Sequence, residues 1–254
     1  MRKSLIATAL LAALPMIGTA QAEGPHSLSG NITLTTDYVF RGISQSQGQP
    51  ALQGGFDYAH ESGFYIGTWA SNVGWVDDMA KKNNSMEIDL YLGYAGEAGP
   101  ISYDVGAIRY FYPGSSISGV ATPDSTEVYV ALGWEFIELK YSHAVSKYLF
   151  GWTGTNSNST RNSNYLELNA DYEFAAGWTA SAHVGRQIIK KNGGASYADW
   201  AVGISKDVGF GTVALTYSDS DADGSCSKGE PYCFGDTGKN AAGDRFVLSF
   251  SKEF

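Results

Sequence analysis

The clearest chemical pattern in the sequence lies near the carboxyl end, in the stretch DSDADGSCSKGE. Its four carboxylates have the spacing of the calcium-loop pattern D-x-[DN]-x-[DN]-G-x5-E: Asp219, Asp221, Asp223 and Glu230. Carboxylates at this spacing converge on a hard cation, so the pattern predicts calcium. The context is unusual, because a strand pattern precedes the loop and Cys226 stands inside it. An ordinary acidic turn is the open alternative.

A nucleophilic serine with a histidine base is the other chemistry that the residue types allow. Ser142 and His143 are adjacent, but successive residues of a strand point to opposite faces, so they cannot pair. His183 shares a polar strand face with Thr179 and Ser181, where a histidine satisfied by its neighbours is the alternative to a base. The motifs G-x-S-x-G, H-E-x-x-H and G-x-x-x-x-G-K are absent. We therefore expect a protein that is not an enzyme.

The first 22 residues, MRKSLIATALLAALPMIGTAQA, combine a basic start, an apolar stretch and a small-x-small end. This is the pattern of a cleaved secretory signal, and its apolar part is shorter than the roughly 20 residues of a spanning helix. A retained anchor is the open alternative. We expect residues 23–254 to form the mature domain. In an exported chain, Cys226 and Cys233 favour one disulfide across a short loop, with two free thiols as the alternative.

Apolar and polar residues alternate along most of the remaining chain, which is typical of β-strands. The alternation predicts twelve strands, at 28–40, 51–60, 63–71, 86–94, 101–112, 126–134, 137–146, 165–174, 178–188, 197–206, 210–218 and 243–254. Most have the length of about 9–11 residues that a tilted strand needs to cross a membrane. The connections between them alternate strictly between long and short.

Alternating connections are how outer-membrane barrels are built, with short periplasmic turns and longer extracellular loops. Aromatic residues also gather at the ends of the apolar faces, as in interfacial girdles: Phe40, Tyr94, Trp134, Tyr172, Phe174, Trp178, Phe210 and Phe254. A soluble β-sandwich is the open alternative. The sequence predicts an all-β, antiparallel up-and-down transmembrane barrel of about twelve strands, surrounded by the lipid of the bacterial outer membrane.

In such a barrel the polar strand faces line the lumen. The charged residues predicted there are Glu87, Asp89, Asp104, Arg109, Glu127, Glu138, Lys140, Glu167, Asp171, Glu173, Asp199 and Arg245. Nine of these are acidic and three are basic, which predicts a modest cation preference. Twelve strands enclose a narrow lumen, so we expect passive passage of small hydrophilic solutes. Glycines inside strands make room for large lumen side chains, and we expect Tyr91 beside Gly93 and Tyr129 beside Gly133.

Two other functions stay open at this point. The long loops, such as residues 151–164, are rich in Asn, Ser, Thr and Gly and suit a non-conducting barrel that acts as an adhesin or receptor. A lipid-modifying enzyme would depend on His183. Nucleic acid is not an expected partner, because the formal net charge is −9 and phosphate binding needs clustered basic residues.

The last strand, RFVLSFSKEF, ends on an aromatic residue preceded by apolar residues at alternate positions: Phe246, Leu248, Phe250 and Phe254. This arrangement resembles the carboxyl-terminal signal by which the barrel assembly machinery recognises its substrates. Lys252 departs from that signal, since an apolar residue is usual there. We expect the strand to be the partner of that machinery.

The stretch TTDYVFRGISQSQGQPALQGGFDYAHESGFYIGTWASNV, residues 35–73, resembles the opening block of the TorF-like porin family of proteobacterial outer-membrane proteins. EIDLYLGYAG, LELNADYEF and FVLSFSKEF resemble its later strands, so the resemblance covers essentially the whole mature chain. It implies an outer-membrane barrel of porin type and no defined substrate. Arg41 in the opening block is a candidate for attracting anions at the pore mouth. The alternative is a strand-end arginine at the membrane interface that snorkels or pairs with a carboxylate.

Overall fold

The computed structural model describes residues 24–76, 85–115, 121–234 and 238–254, so the predicted signal at 1–22 lies outside the described residues. Sixteen strands are present in these ranges: β1 (His26–Thr35), β2 (Val39–Phe40), β3 (Ile43–Ser44), β4 (Ala51–His60), β5 (Phe64–Asn72), β6 (Met86–Ala98), β7 (Ile101–Phe111), β8 (Ser125–Trp134), β9 (Ile137–Ala144), β10 (Asn164–Ala175), β11 (Trp178–Ile188), β12 (Tyr197–Asp207), β13 (Thr212–Ser220), β14 (Cys233–Phe234), β15 (Lys239–Asn240) and β16 (Arg245–Glu253). Three short 3₁₀ turns lie in the loops, at Thr155–Ser157, Gly193–Ala195 and Cys226–Lys228. Over these ranges, the model contains no helix with the length and apolar character to span a membrane.

Twelve of the strands close into one antiparallel barrel, in the order β1, β4 to β13 and β16. The first and last strands complete the ring, with Asn31 opposite Glu253 and Thr35 opposite Ser249. The terminal Phe254 extends this pairing, since its backbone nitrogen donates to the Gly30 carbonyl at 3.0 Å. The predicted twelve-stranded transmembrane barrel is confirmed, and eleven of the twelve predicted strands agree with it to within a few residues.

The barrel has two different ends. At the turn side, short turns join β4 to β5, β6 to β7, β8 to β9, β10 to β11 and β12 to β13. At the loop side, long connections join the other neighbouring strands. Large apolar side chains are exposed along the whole outer wall, including Leu28, Phe56, Leu90 and Leu132. The outer surface of the barrel is apolar and its interior is polar, which is the reverse of a soluble β-sandwich. An apolar outer surface is what contact with lipid requires.

Seven of the eight predicted girdle aromatics are exposed on the outer wall, towards the turn side: Tyr94, Trp134, Tyr172, Phe174, Trp178, Phe210 and Phe254. The eighth, Phe40, was wrongly predicted to lie there. β1 ends at Thr35 rather than residue 40, and the chain turns inward to form a hairpin of β2 and β3. Arg41 and Gly42 form its two-residue turn with φ of 50° and 74°, the left-handed values that a type I′ turn requires.

Tyrosines on the inner wall lie over glycines of the neighbouring strand, in the pairs Tyr91 with Gly67, Tyr65 with Gly93, and Tyr129 with Gly106. A Cβ atom added at any of these glycines would overlap the tyrosine ring. The expectation that glycine makes room for a lumen tyrosine is therefore confirmed. The two predicted pairs are wrong, because each joins residues of one strand, two and four positions apart, whereas the tyrosine ring extends across to the next strand.

Candidate functional site

The hairpin that follows β1 reaches across the lumen. We call residues 36–50 the inner hairpin. At its tip, Arg41 donates to both oxygens of Glu127 on β8, at 2.7 and 3.2 Å, and to Gln187 Oε1 on β11 at 2.8 Å. These strands lie five and four places away from β1 around the barrel, so the tip contacts the opposite wall. Only 6% of Arg41 and none of Glu127 is exposed.

Aromatic rings enclose the Arg41 guanidinium. Its central carbon lies 4.3 Å from the Tyr165 ring centroid and 4.8 Å from that of Phe40, which are cation–π distances. Burial acts to lower the pKa of Arg41, but the charge and hydrogen bonds of Glu127 raise it overall. Arg41 therefore stays charged and is paired inside the lumen rather than displayed at a pore mouth.

A second loop meets the inner hairpin inside the barrel. Phe150, from the connection between β9 and β10, packs edge-on against Phe40 and Tyr110 at centroid distances of 5.7 and 5.0 Å. Its backbone nitrogen donates to Ser125 Oγ at 2.7 Å, which fixes the loop to the inner wall. Side chains from two loops thus meet inside the loop side of the lumen.

The base of the inner hairpin is tied to the closing strand. Asp37 Oδ1 accepts hydrogen bonds from the hydroxyls of Ser44 and Ser46 at 2.7 and 2.8 Å. Its other oxygen pairs with Arg245 on β16 at 2.8 Å. The Ser46 hydroxyl also accepts from the Tyr38 nitrogen at 2.9 Å. These bonds bend the chain inward after Thr35, where a strand would otherwise continue.

The turn side of the lumen is built from tyrosine hydroxyls and wall carboxylates. Tyr65 donates to Asp104 Oδ1 at 2.7 Å and makes a very short contact with the Tyr129 hydroxyl. Tyr91 donates to Asp57 at 2.5 Å. Lys140 Nζ lies 4.5 Å from the Tyr129 ring centroid. The partners in these contacts are all residues of the barrel wall, and no loop residue takes part in them.

His183 lies on the inner face, as predicted, and wall residues bind both of its ring nitrogens. Its Nε2 lies 2.9 Å from both Asp199 Oδ1 and the Tyr165 hydroxyl, and its Nδ1 lies 2.6 Å from Asn169 Oδ1. In the described part of the chain, none of its hydrogen-bond partners is a serine. Ser181 instead donates to Asp171 at 2.6 Å. His183 is a satisfied lumen histidine in this arrangement.

Eleven of the twelve charged residues predicted for the lumen lie on the inner-face register: Glu87, Asp89, Asp104, Glu127, Glu138, Lys140, Glu167, Asp171, Glu173, Asp199 and Arg245. Arg109 was predicted wrongly. It lies on the outer face near the loop side, where it pairs with Asp124 at 3.1 Å with 43% of its side chain exposed. Arg109 is five positions after Asp104 in the same strand. Residues an odd number of positions apart in a strand lie on opposite faces.

Arg41 is the lumen residue whose partners the sequence reasoning missed. Its weak local signal is the pair of two-residue segments Val39–Phe40 and Ile43–Ser44 on either side of an Arg-Gly turn. A glycine at the second turn position favours a tight hairpin. Its partner Glu127 is 86 residues away, and no local pattern indicates that pairing.

The predicted disulfide between Cys226 and Cys233 is confirmed. The predicted calcium loop is not gathered into one site. Asp219 belongs to β13, Asp221 accepts from the Ala198 nitrogen at 2.6 Å, and Glu230 accepts from the Ser225 nitrogen at 2.7 Å. Over the described ranges, no three acidic, histidine or cysteine residues are placed to hold a metal ion. Calcium binding by this loop stays a prediction.

The fold is similar to solved porin structures. The KdgM porin aligns with a TM-score of 0.54 at 9% identity, over 89% of this chain and 99% of that chain. A structure of the KdgM porin in complex with disordered oligogalacturonate aligns at 0.53 and 8% identity, over 89% and 98% of the two chains. The NanC porin aligns at 0.52 and 11%, over 90% and 99%. Identities this low show a shared fold alone.

No curated protein matches the sequence. The family model described as a bacterial protein of unknown function, Gcw_chp, matches residues 19–254, which includes all of the barrel. The chain therefore belongs to the Gcw_chp family.

Proposed function

We propose that this protein is an outer-membrane channel for the passive passage of small hydrophilic solutes. The observation that carries the proposal is the closed barrel with an apolar outer wall and a charged inner wall. The porins that share the fold support it. As in other outer-membrane barrels, the turn side would face the periplasm and the loop side the exterior. The likeness of its opening block to TorF-like porins points to the same function.

The inner hairpin makes the proposed channel narrow. It crosses the lumen from β1 to β8 and β11 and packs against Phe150, so it leaves less room than the barrel wall alone would allow. Solute selection would then depend first on size. We expect small ions to pass more readily than sugars or peptides.

The charges of the inner wall support a modest preference for cations. Without Arg109, the predicted lumen set contains nine acidic residues and two basic ones, Lys140 and Arg245. Arg41 adds one positive charge, but Glu127 already neutralises it. Carboxylates such as Asp104 and Asp171 are half-buried and face the lumen. They would raise the local concentration of cations.

Planar-bilayer recordings test the proposal. We expect the wild-type barrel to conduct and to show a reversal potential on the cation side in a salt gradient. Asp104→Asn should reduce that potential, because it removes a lumen charge. Arg109→Ala should leave it unchanged, because Arg109 lies on the outer wall. An anion-selective barrel would refute the cation preference, and a barrel that never conducts would refute the channel.

The inner hairpin also favours a second candidate, a closed barrel that acts through its loops as an adhesin or receptor. Hairpin removal separates the two candidates. A wild-type barrel that is silent in bilayers, and conducts only when residues 39–44 are replaced by a short glycine linker, supports the second candidate. A wild-type barrel that conducts on its own supports the channel.

We also propose that the closing strand is recognised by the barrel assembly machinery. Phe246, Leu248 and Phe254 are exposed on the outer wall, and Phe254 completes the pairing of β16 with β1. A Phe254 deletion should reduce the amount of assembled barrel in outer membranes. Normal assembly of that deletion would contradict the proposal.

A further inference from the structure

We propose that Glu87 and Asp89 form a calcium-binding site inside the lumen. The site goes beyond the proposed channel function and does not require that the barrel conduct. It is also distinct from the acidic loop at residues 219–230, since it is built on the inner face of β6.

The two carboxylates are neighbours on one strand face. Glu87 and Asp89 are two residues apart on β6, so their Cα atoms are about 7 Å apart and their side chains point the same way. Both are buried, with 2% and 0% of their surface exposed. Glu87 is close enough to act electrostatically on Asp89, and the two carry the same charge.

Three of the four carboxylate oxygens have no hydrogen-bond partner among the described residues: Glu87 Oε2 and both oxygens of Asp89. The fourth, Glu87 Oε1, accepts from the Tyr38 hydroxyl at 3.2 Å. Burial raises the pKa of Tyr38 well above its usual value, and the charges of Glu87 and Asp89 raise it further, so that hydroxyl stays a donor. The Tyr112 hydroxyl is a second hydrogen-bond partner of Glu87, so the pair has two neutral donors, and both of them serve Glu87 rather than Asp89.

Among the described residues, those placed opposite Asp89 carry no positive charge. Trp69 on β5 and Tyr110 on β7 stand directly opposite it, and the Tyr110 hydroxyl donates to Glu127. Arg41 is bound to Glu127 and Gln187. Neither carboxylate takes part in an ion pair with any residue of the described ranges. Glu127 in the same region of the lumen forms an ion pair with Arg41, whereas Glu87 and Asp89 do not.

Ionised carboxylates that are removed from water without a partner are strongly unfavourable, and two side by side are more so. One divalent cation would neutralise both. Carboxylate oxygens select hard cations, and calcium accepts irregular and bidentate carboxylate geometry where magnesium requires a near-ideal octahedron. The arrangement therefore favours calcium over magnesium and over a soft transition metal.

Terbium luminescence tests the site, because Tb³⁺ replaces Ca²⁺ and is excited through nearby aromatic rings. We expect the purified barrel in detergent to give a Tb³⁺ signal that Ca²⁺ displaces, with Trp69, which stands opposite Asp89, as a donor. Asp89→Asn and Glu87→Gln should each weaken Tb³⁺ binding at least tenfold. Asp171→Asn, whose carboxylate is satisfied by Ser181, and Asp221→Asn in the acidic loop are matched controls that should bind as the wild type does.

Three outcomes would overturn the proposal: equal binding by Asp89→Asn and the wild type, a signal lost in Asp221→Asn alone, or no Ca²⁺-displaceable signal at millimolar Ca²⁺. If the wild-type barrel instead takes up a proton at this pair without binding Tb³⁺, the calcium site is also refuted. Heat-dependent gel mobility verifies that each variant is folded. Conductance is measured separately without calcium, so failure of the channel and failure of the site can be told apart.

Discussion

The two halves of the lumen bury charge in different ways. At the turn side, carboxylates accept hydrogen bonds from other residues of the wall: Tyr65 donates to Asp104, and Ser181 donates to Asp171. At the loop side, Glu127 is satisfied by Arg41, which the inner hairpin brings in from outside the wall. The comparison shows that wall residues satisfy these two turn-side carboxylates, whereas Glu127 at the loop side depends on a loop.

The difference has a geometric origin. A strand places one inward side chain every second residue, and a tyrosine can reach a carboxylate on the next strand only where a glycine leaves room for its ring. Gly93 and Gly106 leave that room at the turn side, and Gly185 leaves it beneath Tyr165. Arg41 instead approaches from the centre of the lumen, so its partner needs no neighbouring glycine.

Loss of the Arg41 ion pair should have the largest effect on stability. Arg41→Ala leaves Glu127 buried without a partner, which costs about 3–5 kcal/mol. Arg109→Ala is the matched control, because its exposed pair with Asp124 is worth about 0–1 kcal/mol. Urea unfolding of the refolded barrel, followed by tryptophan fluorescence, measures both. Equal losses in the two variants would show that the inner hairpin does not anchor the loop side.

A smaller loss is expected where glycine accommodates a tyrosine. Gly67→Ala places a methyl group into the Tyr91 ring, which must move away from Asp57, and overpacking of this kind costs about 1–3 kcal/mol. Gly193→Ala in a loop is the control, since no atom lies within 4 Å of its added Cβ. The same unfolding experiment applies. If Gly67→Ala unfolds at the same urea concentration as Gly193→Ala, the ring is not held against the glycine.

The strands of the barrel wall could be predicted from the sequence because every second residue faces lipid and must be apolar. The strands at 51–60 and 178–188 have the predicted bounds, since their outward residues must be apolar all the way along. The same rule, applied by counting, places Arg109 outside, because it shares its register with Val105 and not with Asp104. The face that a charged residue occupies follows from its position along the strand and not from its residue type.

The inner hairpin could not be predicted in this way. Tyr38 and Phe40 continue the alternation of β1, and an aromatic residue at such a position looks the same whether it faces lipid or packs inside the lumen. The choice is made by distant partners: Glu87 for Tyr38, and Tyr110 and Phe150 for Phe40. Interactions between residues so far apart in the chain leave no periodic signal.

The smallest expected effect tests whether ions pass the turn side at all. Lys140 is buried on the inner face, beside Tyr129 and near the carboxylates of Asp104 and Glu167. Lys140→Gln removes a positive charge from the proposed path while those carboxylates remain. We expect the cation preference to rise by up to about twofold in permeability ratio, equivalent to about 0.4 kcal/mol, which reversal potentials resolve.

Lys206→Gln is the matched control, because Lys206 lies on the outer wall against Trp178 and its loss removes the same charge from outside the lumen. If the two lysine variants change the reversal potential equally, the turn-side charges do not act on the permeating ions. If Lys140→Gln lowers the cation preference, the acidic residues around it are not what selects cations. If the cation preference rises only in Lys140→Gln, the permeating ions pass along the turn side of the lumen.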